Sequence, residues 1–163
     1  MKKTAIILLI LAIILTVTAC NPKTDEPAES NETANIGEWK ITIVTSTGEK
    51  EFTSADAKKL TAVTLEATTK NKNGEEATST YTGVKLSDIL SHAGVTDFTN
   101  LTIEASDGFS AEYDKELALK DDTILAWEKD GKLLEGDNPV QMVPKTGFGN
   151  QFVKNTARII VND

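Results

Sequence analysis

The chain of 163 residues carries one cysteine, Cys20, one histidine, His92, and one arginine, Arg158. That scarcity limits the conventional chemistry open to it. A zinc site of the usual ligand set needs several His or Cys donors, and residues 36–163 offer His92 alone. A Ser-His-Asp arrangement would have to recruit the same histidine, and no G-x-S-x-G elbow is present to hold a serine. Thr69 to Thr80 has Asn71, Asn73 and Gly74 at calcium-loop spacing. It starts on Thr69 where Asp is usual and ends on Thr80 where a bidentate Glu is required, so it is no calcium loop. Asp121-Asp122 and Glu75-Glu76 read as solvated acidic turns, and Gly147-Phe148-Gly149 is too short for a dinucleotide fingerprint.

Cys20 has a different setting. Lys2 and Lys3 precede an unbroken apolar run from Ala5 to Leu15, and the small-residue junction Val17-Thr18-Ala19 leads into Cys20. That order is the layout of a secretory signal. The run is short of the roughly twenty residues a spanning helix needs, and no basic stop-transfer flank follows it. Val17 to Cys20 resembles the bacterial lipobox, in which the cysteine sulfur receives a diacylglyceryl group and becomes the first residue of the mature protein. The expectation is a signal peptide over 1–19, lipidation at Cys20 and a disordered acidic tether over 20–35, since Asn21 to Asn35 holds no large apolar side chain. The domain, residues 36–163, would then face outside the cytoplasm at the cell envelope, held to the membrane by its lipid.

Composition narrows the partners. Losing Lys2 and Lys3 takes the 17 basic residues to 15, against 25 acidic, for a formal charge of about −10 on the mature chain. Nucleic acid is excluded as a partner, because affinity for it rests on clustered Lys and Arg. Anionic headgroups would also repel the body, leaving membrane attachment to the lipid.

Any functional residues must be positioned by strands. Trp39, Ile41 and Ile43, then Val63, Leu65 and Ala67, then Leu101, Ile103 and Ala105, then Ala157, Ile159 and Val161 each alternate with polar neighbours, the period of half-buried strands. Asp130-Gly131, between Thr123 to Glu128 and Lys132 to Leu134, suits a tight hairpin turn. Two short helices are predicted. Ser54 would cap Ala55 to Leu60, and Leu86, Ile89, Leu90 and Ala93 form one apolar stripe closed by Gly94. His92 lies beside that stripe, where a lone imidazole is a surface or partly packed residue. Asn71 to Glu76 reads as an exposed turn. The fold class is α+β, mainly β, in a single domain.

Several segments, taken in order, resemble the molybdopterin-binding domain of the sulfite oxidase family. They are Tyr81-Thr82-Gly83-Val84-Lys85-Leu86 with its helix to Ala93-Gly94-Val95, then Ser106-Asp107-Gly108-Phe109, then Leu125-Ala126-Trp127 with Asp130-Gly131-Lys132. Val143-Pro144, Gly147-Phe148-Gly149, Val153-Lys154 and Arg158-Ile159 complete the series. The resemblance implies a fold of mainly β character. It also implies a site in which a pterin dithiolene and one cysteine thiolate hold molybdenum.

The sequence departs from that site. The resemblance puts the thiolate near Glu66 to Thr68, where no cysteine stands, and its cofactor-binding His-Gly-x-Pro-Leu-Arg segment reads Gly136-Asp137-Asn138-Pro139-Val140-Gln141 here, without histidine or arginine. What remains for an anion is Lys145, Lys154 and the amides of Gly147 and Gly149. The expectation is therefore no metal and no cofactor. The domain would act as a binding or interaction module, or as a redox accessory with an envelope protein partner. The alternative is a molybdopterin-dependent oxidoreductase with an atypical metal site drawing on Glu66 or Thr68. A third reading is an unrelated β-sandwich adhesion or solute-binding lipoprotein.

Overall fold

Alternating burial shapes the first strands. β1 (Lys40–Thr45) turns Ile41 and Ile43 inward, and β2 (Gly48–Thr53) pairs antiparallel with it across Ser46-Thr47. The computed structural model describes residues 35–163; the expected signal peptide, Cys20 and residues 21–34 of the expected tether lie outside the described residues. After helix α1 (Ser54–Ala57), β3 (Ala62–Lys70) and β4 (Glu76–Lys85) form a long hairpin. Its exposed turn is closed by the Asn71 side-chain oxygen, which accepts from the backbone N–H groups of Asn73 and Glu75.

Helix α2 (Leu86–Ala93) buries the predicted stripe of Leu86, Ile89, Leu90 and Ala93, and Gly94 closes it at φ 80°. Each large side chain so buried contributes about 1.5–3 kcal/mol. Then come β5 (Asn100–Ala105), β6 (Ser110–Asp114), α3 (Lys115–Leu119), β7 (Thr123–Lys129) and β8 (Lys132–Leu133). The β7–β8 hairpin turns on Asp130 and Gly131 at φ 50° and 76°, as that dipeptide predicts. β9 (Gln141–Pro144), β10 (Thr146–Phe148), a 3-10 turn (Gly149–Gln151), β11 (Val153–Lys154) and β12 (Thr156–Asn162) complete the domain.

The strands make two mixed sheets. One runs β2-β1-β12-β5-β6, with β1 and β12 parallel; the other runs β10-β3-β4-β7-β9-β11, with β10 and β3 parallel and β8 added to β7. The larger core joins Ile41, Ile43, Leu101 and Ile159 of the first sheet to Val84, Leu125, Trp127 and Met142 of the second, with α2 packed among them. Trp39 stacks on Trp127 at 6.3 Å between ring centroids. A smaller core of Ala67, Tyr81, Ile124, Ala126, Val143 and Phe152 covers the other face of the second sheet. The domain is α+β, mainly β.

Two local expectations are corrected. The first helix stops at Ala57, short of Leu60, and its cap is Thr53, one residue earlier than Ser54. The Thr53 hydroxyl accepts from the Asp56 N–H, while the Asp56 carboxylate accepts from the Thr53 N–H at 3.1 Å, a reciprocal capping box that Ser54 cannot make. Ala157 is not an inward partner of Ile159 and Val161. The register of β12 against β5 shifts between Thr156 and Arg158, so Thr156 is buried instead, with its hydroxyl donating to Val153 O at 2.8 Å.

Candidate functional site

Cross-strand partners project from the same face of a sheet. Gln141 pairs with Ala126 on one side and Lys154 on the other. Ala126 faces the smaller core, so Gln141 and Lys154 share that face.

Lys129 reaches the same face through an irregularity. Along β7, Ile124 and Ala126 face the smaller core and Leu125 and Trp127 the larger, an alternation that would send Glu128 to the smaller-core side. The register instead shifts between Thr82 and Gly83 of β4. Lys129 is therefore opposite Tyr81, and Glu128 is opposite Thr82, whose hydroxyl donates to it at 3.1 Å. Gly83 permits the shift: a Cβ there would lie 2.2 Å from Leu125 O and 2.7 Å from Ala126 Cα. A β-bulge of this kind re-aims a side chain.

The result is an open cleft of about 450 Å³ lined by Thr69, Tyr81, Lys129, Gln141, Phe152 and Lys154 together with Lys70, Asn71, Glu75, Glu76, Ala77 and Gly149. A recess of about 200 Å³ shares Lys129, Gln141 and Lys154 and adds Val140, Glu135 and Asn155. Lys70 is paired with Glu76 at 3.0 Å, and Glu75 accepts from the Asn71 side-chain amide at 2.5 Å. Among the described residues, Lys129 and Lys154 have no carboxylate within 4.0 Å. The Lys129 ammonium lies 5.6 Å from the Tyr81 ring centroid, a cation–π contact worth about 0.5–1 kcal/mol at an exposed site.

Of the residues singled out from sequence, Lys154 and Gly149 meet at this cleft. Gly147 lines a neighbouring recess with Thr68, Thr146 and Phe148. Lys145 lines none of these cavities; its main chain joins β3 to the loop before β7, with Lys145 O accepting from Thr68 N–H and Lys145 N–H donating to Asp122 O. A Cβ at Gly149 would meet nothing within 4 Å, and one at Gly147 would meet only the Gln151 side chain. The loop is thus no close-fitting backbone cradle. His92 sits apart from the cleft on α2, edge-on to Phe52 and 3.9 Å from Asp56, with 38% of its side chain exposed.

Tyr81, Lys129 and Gln141 did not stand out as site residues in the sequence. Gln141 carried two usable signals, its place where the resemblance's cofactor-binding segment ends in arginine and its being a lone polar residue in the apolar run Val140-Gln141-Met142-Val143. Lys129 carried none, because alternation assigns it to the wrong face.

A family model for the oxidoreductase molybdopterin binding domain matches residues 28–163. The chain belongs to that family. Among solved structures, the crystal structure of the sulfane dehydrogenase SoxCD from Paracoccus pantotrophus is similar in fold, with a TM-score of 0.67 and 22% sequence identity. The match covers 77% of this chain and 38% of that one, so this molybdopterin-domain chain spans well under half of its structural relative. A comparison with curated proteins gives no match.

The family's metal centre can be tested against the residues of this member. Of the three positions where the resemblance puts a thiolate, only Ala67 faces the smaller core beneath the cleft, and its methyl is buried there. Glu66 and Thr68 alternate onto the opposite face; Glu66 is exposed, and the Thr68 hydroxyl is bonded to that of Thr78 at 2.8 Å. Among the described residues no group of three or more His, Cys, Asp or Glu side chains converges on one point. The cleft offers the ammonium groups of Lys70, Lys129 and Lys154, the carboxamides of Asn71 and Gln141, the Tyr81 phenol, the Thr69 hydroxyl and the carboxylates of Glu75 and Glu76, with no thiolate or imidazole among them. That donor set does not fit a molybdenum centre.

Proposed function

We propose that this chain is a membrane-anchored extracytoplasmic lipoprotein whose molybdopterin-type domain works as a binding module, without a resident metal and without a redox step of its own. Its partners would be the membrane, through a lipid on Cys20, and an envelope protein that it serves as an accessory. The observation that carries this reading is the lining of the cleft-side face: Ala67 stands there near the place where the resemblance puts the metal-ligating cysteine, Gln141 stands where its cofactor-binding segment ends in arginine, and among the described residues Lys129 and Lys154 have no carboxylate within 4.0 Å.

The test is production of the mature chain in a host that makes molybdopterin, followed by assay of molybdenum and pterin after gentle purification. A colourless, metal-free, cooperatively folded protein is the expected result. Near-stoichiometric molybdenum with a pterin spectrum, lost in Lys154→Glu, would overturn the reading.

A further inference from the structure

Gln141 is only 4% exposed, yet among the described residues no hydrogen bond reaches its carboxamide. Tyr81 is likewise 4% exposed, and among the described residues no hydrogen bond reaches its hydroxyl. Buried polar side chains are normally satisfied within the protein or by ordered water. No fully buried side-chain N or O atom lacks a partner among the described residues, so these two polar tips are the parts that solvent reaches. Both residues line the same cleft.

Placing a carboxamide between Val140 and Met142, in a strand whose four residues are all buried, sets aside a donor and an acceptor that none of the described residues uses. Lys129 and Lys154 stand on the same face, Lys154 directly opposite Gln141 and Lys129 directly opposite Tyr81.

We infer that this cleft takes a small organic anion, with an oxyanion group (carboxylate or phosphate monoester) between Lys129 and Lys154 and a hydroxyl or amide on Gln141 and Tyr81. The inference rests on the reading that no metal centre occupies the site, and it names the ligand class the binding module would hold. Three observations set the chemistry. The two ammonium groups supply charge-assisted donors to an oxyanion. A carboxamide both donates and accepts, so it selects a ligand edge that does the same. The buried rings of Tyr81 and Phe152 give the cleft an apolar floor for a ring or short chain. The volume of about 450 Å³ suits a small molecule. Glu75 and Glu76 of the cleft, held by Asn71 and Lys70, and Glu135 of the adjoining recess would repel an extended polyanion.

The experiment uses residues 20–163 with Cys20→Ser, isotopically labelled and purified from a molybdopterin-making host, with molybdenum and pterin assayed on the same sample. The probes are 4-hydroxybenzoate, phenyl phosphate and inorganic phosphate, each titrated while the Gln141 side-chain NH2 signals are followed by NMR. Saturable movement of those signals by either aromatic anion is expected, and the preferred probe tells carboxylate from phosphate ligands. Inorganic phosphate should bind at least about tenfold more weakly than the preferred aromatic anion, having no ring to lie on the floor.

Gln141→Met, which keeps size and drops the amide, should weaken binding by at least about tenfold with little change in melting temperature, its binding followed through the Lys154 backbone amide. Lys129→Gln with Lys154→Gln should abolish binding. If neither aromatic anion moves Gln141 in a metal-free sample, or if the double lysine variant binds as well as the parent, this inference fails and the functional reading stands. A sample loaded with molybdenum sinks the functional reading itself.

Discussion

The Tyr113 hydroxyl, on the outermost strand of the five-stranded sheet, donates to the main-chain oxygen of Gln151 in the 3-10 turn at the margin of the cleft. The ring is fully buried, and burial pushes its hydroxyl well above the ordinary phenol range, so it remains a donor across all ordinary pH. Tyr113→Phe keeps the ring and removes the bond, at a cost of about 0.5–1.5 kcal/mol. Amide exchange should quicken at Gly149 to Phe152 more than elsewhere. Uniform acceleration across both sheets would show that the bond does not localise the turn.

Gly83→Ala is expected to be costly, because the new methyl meets backbone at 2.2 Å and not a movable side chain. Overpacking of this kind costs about 1–3 kcal/mol. Urea unfolding should show that loss. The amide signals of Lys129 and Tyr81 should also shift more than those of β5 and β6, since the register that puts Lys129 over Tyr81 depends on the close approach. A variant as stable as the parent would refute the bulge account.

Acid stability should depend on Asp56. Its carboxyl is held down from 3.8 to about 2, chiefly by the hydrogen bond from Lys59 and then by those from the Thr53 hydroxyl and N–H. A depressed folded-state value means that the stabilisation is complete above the unfolded value and is lost as pH falls towards 2. Asp56→Asn should therefore cost about 0.5–1.5 kcal/mol at neutral pH, the range for weakened side-chain hydrogen bonding, since the Thr53 cap itself remains. The gap between parent and variant should narrow between about pH 4 and pH 2. A gap that stays constant down to pH 2 would exclude the carboxylate as its source.

Cys20→Ala should abolish incorporation of labelled palmitate in cells and move the protein from the membrane fraction to the soluble one. Among the described residues no helix is long and apolar enough to cross a membrane. Membrane retention without label would point to attachment by another route.

How far the sequence could be read depended on how local each signal was. The β7–β8 turn was legible because Asp130 and Gly131 both tolerate positive φ, and α2 because four apolar residues at helical spacing meet a glycine stop. β2 gave no alternation to find, since four of its six residues are exposed on a sheet edge, and α3 has only five residues, too few for a stripe. The bulges at Gly83 and Thr156 are set by pairing with a distant strand, so period-two reading misplaced Ala157 and gave no sign of the face that Lys129 takes. Lys154 and Gln141 lie on segments that the resemblance marks, whereas Lys129 joins their face only through the Gly83 bulge, which no local signal announces.

β12, residues 156–162, lies in the middle of the first sheet, parallel to β1 and antiparallel to β5, although it comes last of all the strands in the chain. Until it arrives, the β1–β2 and β5–β6 hairpins have no strand between them, and the larger core lacks Ile159 and Val161. A chain threaded through a narrow channel amino end first would therefore stay loose and pliable until β12 had passed, with closure of the fold timed by the arrival of that strand.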